Sequence, residues 1–263
     1  MRAAQAIAAL GGITPILEPG HVWLAGAGPG DPGLLTLAAL AGLAQADVVV
    51  HDALVDARVL ALANPRARLE FAGKRGGRPS ASQDDISQRL VELARGGARV
   101  LRLKGGDPSV FGRGGDEALA LSRAGIPFRL VPGVTAGLAG LAAAAIPATM
   151  RGINQAVVFA AGHGADPELT PDWAALARTR QPIVLYMAMR NLAEIAQALM
   201  GGGLSPDTPA AIIASATTPD ERVMVTSLSR LAADARAGGF AAPAIVAIGD
   251  IVRLREHLIG AGS

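Results

Sequence analysis

LRLKGGDPSVFGRGGDE, residues Leu101 to Glu117, is the stretch on which the reading of this chain turns. Leu101 and Leu103 alternate with Arg102 and Lys104, the period of a β-strand whose two faces differ. Gly105 and Gly106 then remove two Cβ atoms, Asp107 offers a carboxylate, and Pro108 stops further pairing while restricting the residue before it. The strand would therefore end in bare backbone, open to a ligand. Arg113 and a second glycine pair, Gly114 and Gly115, follow, and a helical pattern is expected from Asp116, so a loop bridges strand and helix. In open α/β sheets ligands bind at this end of the strands. Taken alone, Gly105 to Pro108 reads first as a tight surface turn.

The whole run carries more. Arg102, Lys104, the turn Gly105 to Pro108 and then Phe111 to Gly115 resemble the signature of the uroporphyrinogen-III C-methyltransferases, enzymes that methylate a tetrapyrrole with S-adenosylmethionine. Two further stretches resemble motifs of the same family. VWLAGAGPGDPGLLT, from Val22 to Thr36, is similar to its first motif, beside the bound cofactor, and Pro132 to Ala136 is similar to its PGxTA motif. The resemblance runs from about Val22 to about Leu258.

Composition limits the alternatives. The 263 residues are 51% hydrophobic and 17% charged, enough to bury one large core or two modest ones, and two domains are expected. No apolar run approaches the ~20 residues of a membrane-spanning helix. The chain has no cysteine, which removes disulfides and thiolate chemistry and suits a cytoplasmic enzyme. His21, His51, His163 and His257 show no paired ligand spacing, so no protein-held metal is expected. Lys74 and Lys104 are the only lysines, and the other basic residues are arginines, whose planar fork suits carboxylates. Sparse aromatics (3%) and the lack of a basic run argue against a nucleic-acid partner.

Residues 1–20 read as an alanine-rich extension and not as a signal peptide. Strands are expected at Val22–Ala27, Asp47–His51, Arg68–Ala72 and Pro127–Val131, alternating with helices that begin near Leu34, after Asp52, from Ser82 to Gly96, and from the PGVTA turn to Ala145. That rhythm predicts a mostly parallel sheet in a first α/β domain, residues 21–146. Five further strands (Gln155–Ala161, Pro182–Tyr186, Ala210–Ala214, Arg222–Thr226, Ala244–Ile248), with helices at Leu192–Met200 and Leu228–Ala237, predict a second α/β domain with a mixed sheet, residues 147–258. The first glycine loop fails the dinucleotide fingerprint, because Asp31 stands where GxGxxG needs glycine and would repel a pyrophosphate.

By their own chemistry the key residues have two readings each. Asp52, at a strand end, is a well-placed carboxylate or a turn former. The loop GKRGGRPSAS after Ala72 is either a surface loop or a basic lid. Thr135 can cap a helix and touch a ligand at once. By spacing alone Met187, Ala216 and Ala244 are ordinary core positions.

The resemblance implies more specific roles. Asp52 matches the proton acceptor and Lys74 the proton donor. Pro29, Gly105, Gly106, Asp107, Val110, Thr135, Ala136, Met187, Ala216 and Ala244 match cofactor-binding positions, in a cleft between two such domains. Lys74, Arg75, Arg78, Arg102, Arg113 and Arg151 are candidates for gripping the acetate and propionate groups of the substrate. The implied reaction adds two methyl groups to uroporphyrinogen III, giving precorrin-2 for sirohaem or cobalamin, in a homodimer. Ala38, Ser109, Asp116 and Met150 depart from the family pattern. The short N-terminal extension leaves no room for the upstream module of fused sirohaem synthases, so a single activity is expected. Alternatives are a later corrin precursor, ribosomal RNA, or a dinucleotide bound at the first glycine loop.

Overall fold

The computed structural model describes residues 15–72, 83–162 and 170–260. It divides the chain into two compact units, residues 1–136 and 137–263.

The first unit is built on five parallel strands: β1 (Val22–Gly26), β2 (Val48–His51), β3 (Arg68–Phe71), β4 (Val100–Lys104) and β5 (Phe128–Val131), in the order β3-β2-β4-β1-β5. All five residues of β1 and of β4 are buried. Both faces of the sheet are covered, as parallel sheets require, and the two-residue period sorts side chains between two cores. Trp23, Ala25, Val49, Leu101, Leu103 and Val131 enter one core; Val22, Leu24, Val48, Val50 and Val100 enter the other, with Leu90 and Leu93 of helix Gln83–Arg95 and Leu121 of helix Gly114–Arg123. Arg102 and Lys104 lie in register with Val100 on that second face and are buried with it.

Two boundaries differ from the sequence expectation. After the first loop the chain makes a short 3-10 turn, Pro32–Leu34, capped by Asp31 Oδ1, which accepts from Gly33 N at 2.8 Å. The α-helix proper, Leu37–Gln45, starts only after Thr36, whose Oγ1 accepts from Ala39 N. The second glycine pair, expected in the loop, belongs to the helix: Gly114–Arg123 begins at Gly114, with Arg113 at its N-cap in the left-handed region, φ 58°. Gly114 is there because a Cβ would run into the Pro108 carbonyl, to which Gly114 N donates at 2.9 Å.

The second unit carries a mixed sheet in the order β6-β7-β10-β8-β9. Its strands are β6 (Val158–Ala161), β7 (Ile183–Tyr186), β8 (Pro209–Ala214), β9 (Arg222–Ser227) and β10 (Ala244–Ile248). β6 and β7 are parallel; β10 runs antiparallel to β7 and β8, and β9 antiparallel to β8. Its core gathers Ile183, Leu185, Ile212, Val246 and Ile248 with Leu192, Ile195 and Leu199 of helix Leu192–Gly201. Helix Trp173–Thr179 was not expected from the sequence. No helix among the described residues is long and apolar enough to cross a membrane.

Candidate active site

In the first unit three glycine-bearing loops meet at the carboxyl ends of β1, β4 and β5. Gly28 and Gly106 exchange backbone hydrogen bonds, Gly106 N to Gly28 O at 2.7 Å and Gly28 N to Gly106 O at 3.1 Å, and Ala27 N donates to Lys104 O at 2.7 Å. A Cβ on Gly26 would lie 2.5 Å from Gly106 O and 2.6 Å from Gly133 Cα, so backbone packs there directly on backbone. Gly106, at φ +69°, takes a conformation that glycine adopts without penalty, and its Cβ position lies 3.5 Å from Ala136 N and 3.8 Å from Thr135 Cα. Gly105 has no room for a side chain because Leu54, in the loop after β2, would be 2.7 Å away.

Asp107 ties these loops together. Its Oδ2 accepts from Gly133 N at 2.9 Å, and its Oδ1 from Ser109 N and Ser109 Oγ at 2.7 and 2.5 Å. The carboxylate is thus engaged by local donors and buried, and it leaves the neighbouring backbone free of an unpaired charge. S-adenosylmethionine, the group the resemblance implies, needs this kind of surface: close backbone approach at strand ends with N–H and C=O groups on offer. The residues fit it, with Gly105, Gly106, Thr135 and Ala136 brought together and Pro29 next to the Gly28 bridge.

Around this cradle lies a charged cluster. Asp52 follows β2, its Oδ1 accepting from Leu54 N at 3.0 Å, as a turn former would, with its side chain 24% exposed. Behind it Arg102 is 3% exposed: Nε donates to Glu117 Oε1 at 3.1 Å, Nη1 to the carbonyls of Leu103 and Val50 at 3.2 and 3.4 Å, and Nη2 stands 4.0 Å from Asp52 Oδ2. Lys104 Nζ donates to the same Glu117 oxygen at 2.9 Å. Burial, then the neighbouring Arg102 charge, push the Lys104 ammonium below its usual range, and Glu117 pulls it back.

The other expected positions are dispersed. Arg113 is exposed and pairs with Asp116 at 2.9 Å, and Val110 lies half-buried in the same loop. Lys74, Arg75 and Arg78 fall outside the described residues. In the second unit Met187, Ala216 and Ala244 lie at one end of the three central strands, after β7, after β8 and at the start of β10. Ala244 pairs with Ala214, and Val246 lies opposite Leu185, which brings Ala244 level with Met187. Met187, Ser215 and Thr217 all have positive φ, at 54°, 48° and 65°. Non-glycine residues held this way cluster at ligand sites. Arg151 is exposed in a turn of that unit.

Glu117 was not singled out by sequence reasoning, and Lys104 was read only as part of the strand and the motif, with no buried partner expected for it. A signal did exist: two cations two residues apart on a strand share one face, and if that face is buried a carboxylate must meet them.

The family of tetrapyrrole (corrin/porphyrin) methylases matches residues 21–232. A uroporphyrinogen-III C-methyltransferase of Sinorhizobium sp is 58% identical over 247 residues, 93% of this chain and 88% of that protein. The Thermus thermophilus uroporphyrin-III C-methyltransferase complexed with S-adenyl homocysteine superposes with TM-score 0.76 at 39% identity, covering 89% of this chain and 99% of that one. A cobalt precorrin-4 methyltransferase of cobalamin biosynthesis superposes with TM-score 0.81 at 29% identity, covering 92% and 99%. With its glycine loops arranged as above, this chain belongs to the tetrapyrrole methylase family.

Proposed function

We propose that the chain is an S-adenosylmethionine-dependent uroporphyrinogen-III C-methyltransferase, adding two methyl groups by way of precorrin-1 to give precorrin-2, a precursor of sirohaem and cobalamin. The observation that carries this reading is the meeting of the Gly26, Gly106 and Gly133 loops at the strand ends, in a chain more than half identical to a relative of that name.

S-adenosylmethionine, when bound, supplies a methyl group already activated by its sulfonium. The protein's task is then mainly placement, which can contribute roughly 7–11 kcal/mol, against about 3–5 kcal/mol for a general acid or base. Pro29, Gly105, Gly106, Asp107, Val110, Thr135 and Ala136 hold the donor; for Met187, Ala216 and Ala244 the cofactor-binding role rests on the family resemblance. Asp52 takes the proton that the ring system must lose after methylation. Lys74 donates a proton or steadies charge, and Arg75, Arg113 and Arg151 receive the substrate's carboxylates. The cytoplasmic location and the homodimer rest on the family resemblance.

The test is anaerobic incubation of the purified protein with uroporphyrinogen III and methyl-labelled S-adenosylmethionine, followed by product mass. A gain of two methyl groups is expected. Methyl transfer to a later corrin precursor in place of uroporphyrinogen III would move the assignment to the second reading, which the cobalt precorrin-4 methyltransferase superposition favours.

A further inference from the structure

Arg102 was expected among the groups that grip the substrate, but its surroundings give it another task. It is 3% exposed and most of its donors have partners within the protein. Its pairing with Glu117 is also incomplete in a telling way. An arginine and a carboxylate normally meet fork to fork through two parallel hydrogen bonds. Here only Nε reaches Glu117, through Oε1, and that same oxygen also accepts from Lys104 Nζ and from Gln83 Nε2 at 3.1 Å. Glu117 Oε2 is buried with no hydrogen-bond partner among the described residues. The guanidinium is thus turned off the fork, with Nη1 on two backbone carbonyls and Nη2 facing Asp52 Oδ2 at 4.0 Å. That distance is an ion-pair approach and not a hydrogen bond.

From this geometry we infer that Arg102, anchored by Glu117, is a positioning residue that orients the Asp52 carboxylate and is not a ligand of the substrate. The inference rests on the proposed role of Asp52 as proton acceptor. Asp52 sits on a loop, held by one backbone N–H from Leu54, and that bond alone leaves its free oxygen able to rotate. The buried cation directs that oxygen. Glu117 offsets the charge of the Arg102 and Lys104 pair, which would otherwise lie uncompensated in the interior. The anchor descends from the first turn of helix Gly114–Arg123, so the strand and the helix that flank the glycine loop jointly set the geometry of Asp52.

The experiment is steady-state kinetics with uroporphyrinogen III for wild type, R102M, R102K, D52N and the D52N/R102M double variant, with S-adenosylhomocysteine affinity by calorimetry as a check on the fold. R102M is expected to lower kcat by about 10–100-fold, part of the full ~10²–10⁴-fold of a general base, while KM stays within about twofold. In the D52N background the same change should cost less than about threefold, since residues that act through one another are not additive. R102K keeps a buried cation for Glu117 but loses the planar fork, and its kcat should fall between wild type and R102M with KM unchanged. Should R102M not fold, R102K alone carries the test. A rise in KM at unchanged kcat in either variant overturns the assignment, as does an R102M effect of equal size with and without Asp52. A wild type that transfers no methyl group to uroporphyrinogen III overturns the activity and the assignment together, whereas an active wild type with additive variants overturns the assignment alone.

Discussion

Lys104 occupies the least favourable place in the buried cluster, and its titration is measurable. Burial and then the Arg102 charge depress its pKa from the usual 10.5, with Glu117 opposing. Between the depressed folded value and 10.5 the unfolded chain holds more protons than the folded one, so the stability from this group rises with pH through that window and is lost as pH falls through the folded value. Unfolding by denaturant at pH 7 and at pH 10 should therefore show wild type gaining on K104M at the higher pH. A gap between the two proteins that stays constant, or moves the other way, would show that Lys104 does not titrate in this shifted state. The sequence reading went as far as placing Arg102 and Lys104 on one strand face. It did not see that face as the interior, because the compensating carboxylate arrives from a helix thirteen residues beyond Lys104, and nothing local to the strand announces it. Without that carboxylate in view, Arg102 reads as a substrate ligand.

At the scale of elements, the glycines divide into those that packing demands and those that it does not. A Cβ on Gly133 would run into the Gly106 carbonyl and come within 2.7 Å of Gly26 Cα, and these are backbone atoms with no flexible end to yield. G26A and G133A should each cost about 1–3 kcal/mol by overpacking, and each should weaken S-adenosylhomocysteine by about tenfold or more by parting the loops. Gly115 is the opposite case. It lies inside helix Gly114–Arg123 with nothing within 4 Å of its Cβ position. G115A should stabilise by about 0.4–1 kcal/mol and leave ligand affinity unchanged. Urea unfolding with calorimetry on the three variants checks the division, and a G115A protein that loses affinity would contradict it. The motif itself was legible, as was its place between strand and helix. Where the helix begins was not, because a glycine pair reads as loop, whereas here Gly114 is required by its contact with Pro108 and Gly115 is simply carried along in the first turn.

On the scale of the whole chain, the first unit was legible because strictly alternating strands and helices leave a parallel sheet as the natural arrangement. The second was legible through its closely spaced strands, as with β8 and β9, which pair antiparallel from Pro209 opposite Ser227 to Ala214 opposite Arg222. Helix Trp173–Thr179 was missed because its seven residues make barely two turns, too few for a helical period to stand out. The fold therefore followed from rhythm, whereas the chemistry depends on which strand ends meet, and that needs the three-dimensional order β3-β2-β4-β1-β5. It also separates two ligands. Asp31 caps the turn Pro32–Leu34 where a dinucleotide fingerprint would need glycine, so pyrophosphate is disfavoured there, whereas the cradle of Gly26, Gly106 and Gly133 suits a methyl donor. A ligand that binds only the folded chain stabilises it by about 2.7 kcal/mol at a hundredfold excess over its Kd. For a chain of this size each kcal/mol raises Tm by about 2–4 °C, so S-adenosylhomocysteine should raise it by roughly 5–10 °C. If the two units melt separately, at least one transition should move. NAD at the same concentration should leave Tm unchanged. G133A should lose about half or more of the shift that S-adenosylhomocysteine produces, because its loops no longer meet. A melting curve that responds to NAD and not to S-adenosylhomocysteine would sink the assignment of the glycine loops to a methyl donor.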